Sequence, residues 1–115
     1  MNRLTLRIDF GDQGAVGPGK IRLLEAIAEH HSISAAGRAM GMSYRRAWQL
    51  VDALNQTFVQ PSVTTQVGGG GGGGAALTEF GHELVAAYRA MEKAAAEATA
   101  DIRAGLAGRL RPPGA

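Results

Sequence analysis

The apolar positions of the chain change period as it runs. Over residues 3–10 they alternate with polar ones, and Leu4, Leu6, Ile8 and Phe10 share one face, as in a half-buried strand. Residues 11–19 hold four glycines and Pro18 and read as a loop. From about Pro18 to His31 the spacing becomes helical, with Ile21, Leu24, Ile27 and Ala28 on the inner stripe. A short helix over 35–40 is expected next, because the Ser34 hydroxyl can accept one of the amide hydrogens that a first helical turn leaves unpaired. Gly41 tolerates the positive φ of a helix end, and Ser43 caps a second helix that runs to about Phe58. Helix, glycine turn and capped helix within about 25 residues form the signature of a helix-turn-helix.

Pro61 stops that second helix, and Val-Thr-Thr-Gln-Val over 63–67 is β-prone. Seven consecutive glycines follow, Gly68 to Gly74, and Ala75-Ala76-Leu77 supplies a returning strand. Thr78 caps a last helix whose first turn carries Glu79, well placed for the helix dipole. This helix continues to about Ala104. The expected fold class is α+β: a winged helix-turn-helix over 1–92, mostly helical with a small β wing. To it is joined a long C-terminal helix within 79–108, and 109–115 form a frayed, disordered tail.

In the last helix Leu84, Tyr88, Met91, Ala95, Ala98 and Ile102 follow alternating steps of four and three, which is a heptad seam. The seam runs past the domain-sized part of the chain. It is therefore read as a dimerisation contact, with the first helix contributing; the alternative is a helix packed on its own domain.

Charge changes this picture locally. The formal net charge is only +2, but residues 1–66 hold seven Lys/Arg against five Asp/Glu, while 79–115 hold five of each. Arg38, Arg45 and Arg46 lie close together in the basic half, a local patch of the kind that small DNA readers use. The absence of cysteine excludes disulfide scaffolds, cysteine zinc sites and thiol catalysis. Met1-Asn2-Arg3-Leu4 leads into the alternating segment rather than an apolar run, and no stretch approaches the ~18 apolar residues of a membrane helix. A soluble cytoplasmic protein with no membrane association is expected.

The candidate chemistry lies on the second helix of the motif. At about 100° per residue, Ala47, Leu50, Val51, Leu54 and Phe58 fall within roughly 100° of arc, and Arg45, Arg46 and Gln49 cluster opposite. Arg pairs with guanine N7 and O6, and Gln with adenine N6 and N7, so these are side chains for reading double-stranded DNA from the first turns of a recognition helix. Asp52 is on the same face one turn deeper, where a carboxylate would be repelled by DNA. Tyr44 and Trp48 flank the core face; Trp48 is expected to pack on a neighbouring helix, and Tyr44 either packs or offers its hydroxyl to a phosphate. The glycine run lacks the Gly-Lys-Ser/Thr sequence of a phosphate loop and reads as a hairpin tip. Adjacent His30 and His31 diverge on a helix and His82 stands alone, so no metal site is expected. No Ser-His-acid or paired-carboxylate set is visible, and neither an enzyme nor a cofactor is expected.

These residues resemble a family. Ser32-Ile33-Ser34-Ala35-Ala36, Gly41-Met42-Ser43-Tyr44-Arg45-Arg46-Ala47-Trp48, the glycine-rich stretch ending Ala75-Ala76-Leu77-Thr78, and Gly81 are similar to the N-terminal domain of ModE-type molybdate-responsive regulators, itself similar to the winged helix-turn-helix of LysR-type regulators. The resemblance covers about residues 4–92 and implies a dimeric DNA-binding regulator. Ser43, Tyr44, Arg45, Arg46 and Gln49 then match the recognition helix and Gly68 to Gly74 the wing; Ser34, Thr65 and Gly70 complete the expected DNA-contacting set. Two departures matter. The family's molybdate-binding C-terminal domain has no counterpart in these 115 residues, so no direct molybdate binding is expected. The family wing carries a basic residue among its glycines, and here all seven positions are glycine. A winged-helix module that docks proteins, or a DNA-binding subunit working with a separate effector-binding protein, are the alternative functions.

Overall fold

The computed structural model describes residues 2–66 and 74–114. Strand β1 (Ile8–Asp9) pairs antiparallel with β2 (Ala15–Val16), in register Ile8 with Val16, across a turn of 3-10 helix at Gly11–Gln13. Helices α1 (Pro18–His30), α2 (Ile33–Ala39) and α3 (Tyr44–Thr57) follow. A hairpin of β3 (Val63–Gln66) and β4 (Gly74–Leu77) leads into α4 (Glu79–Ala98) and α5 (Ala100–Ala107). This is the expected winged helix-turn-helix, but the single last helix expected to about Ala104 is corrected to two, α4 and α5, broken at Thr99.

The expected strand over 3–10 is shorter than its pattern. Leu4, Leu6 and Ile8 are half-buried and alternate with exposed Arg3, Thr5 and Arg7, as the alternation required. Only Ile8 and Asp9 pair, because the partner strand ends where Gly17 and Pro18 begin α1. The rest of the segment forms no strand, and the carbonyl of Leu6 accepts the hydroxyl of Tyr88 at 2.8 Å.

Capping decides the helix starts. Ser43 and Thr78 accept from the amides of Arg46 and Gly81, as expected. At α2 the expectation is corrected: Ser32, not Ser34, is the cap, with its Oγ accepting the amide of Ala35 at 3.1 Å. Ser34 sits in the first turn, and its Oγ accepts from Arg38 instead. The helix therefore begins at Ile33, whose side chain is buried in the core. Gly41 has φ +71°, the left-handed turn that swings α3 away from α2.

The core gathers Val16, Ile21, Leu23, Leu24 and Ile27 with Ile33, Ala36, Ala47, Val51, Leu54, Val63, Ala75, Leu84 and Tyr88. The first helix thus buries Leu23 as well as the expected stripe, while Ala28 is only half-buried. Two seam residues are also corrected. Leu84 and Tyr88, expected between subunits, lie inside the domain's own core, with Tyr88 wholly buried. Burial, then the nearby Glu92, raises the pKa of the Tyr88 phenol, so it stays neutral and donates to Leu6. Arg89 next to it bridges α4 to α1 by two hydrogen bonds to Glu25, at 3.2 and 2.7 Å, and holds Glu92 at 2.8 Å.

Beyond Tyr88 the seam leaves the domain. Met91 and Ile102 are exposed, as are Ala98 and Leu106, and Ala95 is half-buried. Thr99 separates α4 from α5: its Oγ1 donates to the carbonyl of Ala95 at 2.7 Å, a back-bond that loosens the helix there. Arg103 bridges the break, reaching Thr99 Oγ1 and the carbonyl of Ala96.

Candidate nucleic-acid interface

The exposed face of α3 is built by its own periodicity. Ala47, Val51 and Leu54 are buried against α1 and α2, which forces the residues between them outward. Arg45, Gln49, Asp52 and Gln56 form the exposed crest. The carboxylate of Asp52 accepts the side-chain amide of Gln56 at 3.0 Å, so the acid is tied back one turn deeper than Arg45 and Gln49. The amide of Arg46 is satisfied by the Ser43 cap, and the first turn is fixed in place.

Two hollows flank the crest. On one side Tyr44 and Trp48 face the hairpin, in a hollow shared with Ser32, Ser34, Thr65, Gln66 and Gly74. The two rings meet edge to face, with centroids 6.3 Å apart. The expectation that Trp48 packs on a neighbouring helix is therefore corrected: it is 37% exposed, and Tyr44 is 58% exposed. The structure thus brings Ser34, Tyr44 and Thr65 to one hollow beside the crest of Arg45 and Gln49. Gly70, the expected contact at the wing tip, lies outside the described residues.

On the other flank Arg46 and Leu50 face the start of α1. Arg46 departs from the crest on which the helical wheel placed it with Arg45 and Gln49, and joins Arg7, Lys20 and Arg22 around a second hollow. The Lys20 ammonium donates to the carbonyl of Ala15 at 2.8 Å. Its pKa is lowered, first by partial burial and then by the charges of Arg7 and Arg46. Sequence reasoning missed Arg7, Lys20 and Arg22. They are dispersed over the chain outside the helix-turn-helix, and nothing short of the tertiary structure places them beside Arg46. Among the described residues no cluster of three His, Asp or Glu side chains is positioned to hold a metal, and no helix is long and apolar enough to cross a membrane.

Comparison with known proteins agrees with this geometry. Residues 19–82, from the first turn of α1 to the first turn of α4, match the bacterial regulatory helix-turn-helix proteins of the lysR family. The chain is 44% identical over 91 residues to the molybdenum-pterin-binding protein MopA of Rhodobacter capsulatus, covering 79% of this chain and 34% of that one. It is 41% identical over 90 residues to the molybdenum transport protein ModE of Azotobacter vinelandii, 78% of this chain and 33% of the relative. It is 37% identical over 88 residues to the DNA-binding transcriptional dual regulator ModE of Escherichia coli K12, 74% of this chain and 32% of the relative. The aligned region thus spans about a third of the length of these curated relatives. With the matched residues coinciding with the helix-turn-helix and its hairpin, the chain belongs to the lysR family of bacterial regulatory helix-turn-helix proteins and within it resembles the ModE-type regulators.

Proposed function

We propose that the chain is the DNA-reading part of a transcription regulator linked to molybdenum-related genes, with α3 entering the major groove. The observation that carries this is the crest of α3: Arg45 and Gln49 stand exposed on the first two turns, behind a cap made by Ser43 and away from a fully buried inner face. Long hydrogen-bonding side chains on the leading turns of such a helix are the means by which base edges are read. The link to molybdenum rests on the names of the relatives, among them a molybdenum transport protein and a transcriptional dual regulator.

The test is selection of a preferred duplex from a random pool, followed by titration of variants against that duplex and a scrambled one. Arg45→Ala and Gln49→Ala should each weaken the preferred duplex by about 1–3 kcal/mol and relax the preference at one position. Unchanged affinity and preference in both variants would remove α3 as the reading element.

We further propose that the regulator acts as a homodimer in the cytoplasm. Two recognition helices of a symmetric dimer reach half-sites about 34–36 Å apart or a multiple of it, which a single crest of two base-reading side chains cannot match in specificity. The stripe of Met91, Ala95, Ala98 and Ile102 supports the helical arm as the contact, since it continues the core stripe while Met91, Ala98 and Ile102 stand exposed.

A further inference from the structure

We propose that the hollow between α3 and the start of α1 seats the sugar–phosphate backbone of one DNA strand, with Arg7, Lys20, Arg22 and Arg46 as its phosphate contacts. The inference rests on the reading of α3 as the groove helix and adds a second, sequence-independent contact to it.

A helix with its side chains is about 10–12 Å across and fills a major groove about 12 Å wide, so a phosphate strand must pass along each flank of it. One flank of α3 is the hollow of Tyr44, Trp48 and the hairpin, which no cation lines among the described residues. The other opens on the hollow of Arg7, Lys20, Arg22 and Arg46, whose floor is Met40, Met42 and Leu50. Among the described residues no acidic side chain lines it. None of the four cations is in a salt bridge among the described residues, where both such bridges belong to Arg89. Arg7, Arg22 and Arg46 are exposed, and the backbone at Gly19 has open space beside it, so a strand has access.

Four like charges around one hollow repel each other, and within the monomer only the Lys20 side chain among them has a hydrogen-bond partner among the described residues, the carbonyl of Ala15. Partial burial first, and then the charges of Arg7 and Arg46, hold the Lys20 ammonium below its ordinary pKa. The chain as a whole carries only +2, so this concentration is local rather than a reflection of a basic protein. Cations over an apolar floor match the alternation of phosphate and deoxyribose along a strand: the guanidinium groups take the phosphate oxygens and the methionines take the sugar faces. Arg46 thus belongs to the phosphate-binding set, leaving Arg45 and Gln49 to the bases.

The test is the salt dependence of binding to a random-sequence duplex. Removing one phosphate-neutralising cation lowers the slope of log affinity against log salt by about 0.9. Arg7→Gln/Arg22→Gln should therefore lower the slope by about 2, while Arg7→Lys/Arg22→Lys restores it. Relief of repulsion should leave the thermal midpoint of the glutamine variant equal to or above wild type at low salt. Arg45→Ala, in contrast, should lose sequence preference with a smaller change in slope. If wild type binds DNA and the glutamine variant keeps the full slope, the phosphate track is wrong and the α3 reading stands. If wild type binds no duplex, both fall.

Discussion

Gly81 shows how much one residue can decide. It lies in the first turn of α4, and a Cβ there would stand 2.1 Å from the carbonyl oxygen of Ser62. That oxygen also accepts the amide of Thr78 at 3.0 Å, and Thr78 in turn donates its hydroxyl to Pro61 while capping Gly81. The close approach joins the backbone after the helix-turn-helix to the start of α4. On an exposed helix, glycine to alanine would gain about 1 kcal/mol. Here the sign reverses: Gly81→Ala is expected to cost about 2–3 kcal/mol, by the overpacking of a filled interior. Urea unfolding reads this as a lower midpoint, and a variant as stable as wild type would mean that the contact relaxes freely.

At the scale of the element, capping determines where α2 begins and hence which of its serines are free. Ser32 satisfies an amide of the first turn, and Ser34 bonds only to the Arg38 side chain. Ser32→Ala should therefore cost about 1 kcal/mol, whereas Ser34→Ala should change stability by no more than about 0.5 kcal/mol. Chemical denaturation of the two variants side by side tests this, and equal costs would show that the cap is shared. The contrast is useful for function as well. Ser34 lines the hollow beside the hairpin, so its replacement by alanine probes the proposed contact of that hollow with DNA without disturbing the fold.

The whole molecule is longer than its residue count requires. A compact chain of this size has a radius of gyration of about 13 Å, and this one has 17.3 Å, with extents of 58 × 33 × 24 Å. The excess comes from the helical arm, which carries Met91, Ile102 and Leu106 exposed beyond the last core residue, Tyr88. An apolar stripe on a projecting arm invites a second copy. Wild type is expected to be dimeric in sedimentation equilibrium at tens of micromolar, and Met91→Glu/Ile102→Glu to be monomeric, because a carboxylate buried without a partner costs several kcal/mol. Since neither residue belongs to the core, the far-UV circular dichroism of the variant should retain the helical content of wild type. A monomeric wild type would exclude the dimer; a dimeric variant would move the contact to α1 or the N-terminal segment.

The sequence by itself determined the order of helices, the glycine turn at Gly41, the caps at Ser43 and Thr78, and the crest of Arg45 and Gln49. Each of these depends on neighbours within a turn or two, through helical period, orphan amides and permitted φ. It also carried the family resemblance, which those same local motifs express. The tertiary structure alone decided the rest. It assigned Leu84 and Tyr88 to the core and Met91 onward to the surface, because a heptad pattern is the same whichever partner covers it. It brought Trp48 to the hairpin side of α3 and Arg46 to the side of Arg7, Lys20 and Arg22. It also gave Gly81 its reason, a carbonyl contributed by a loop 19 positions earlier in the chain. Contacts between distant positions leave no period in a sequence, and a charge acquires its partner or its lack of one only when the chain has folded around it.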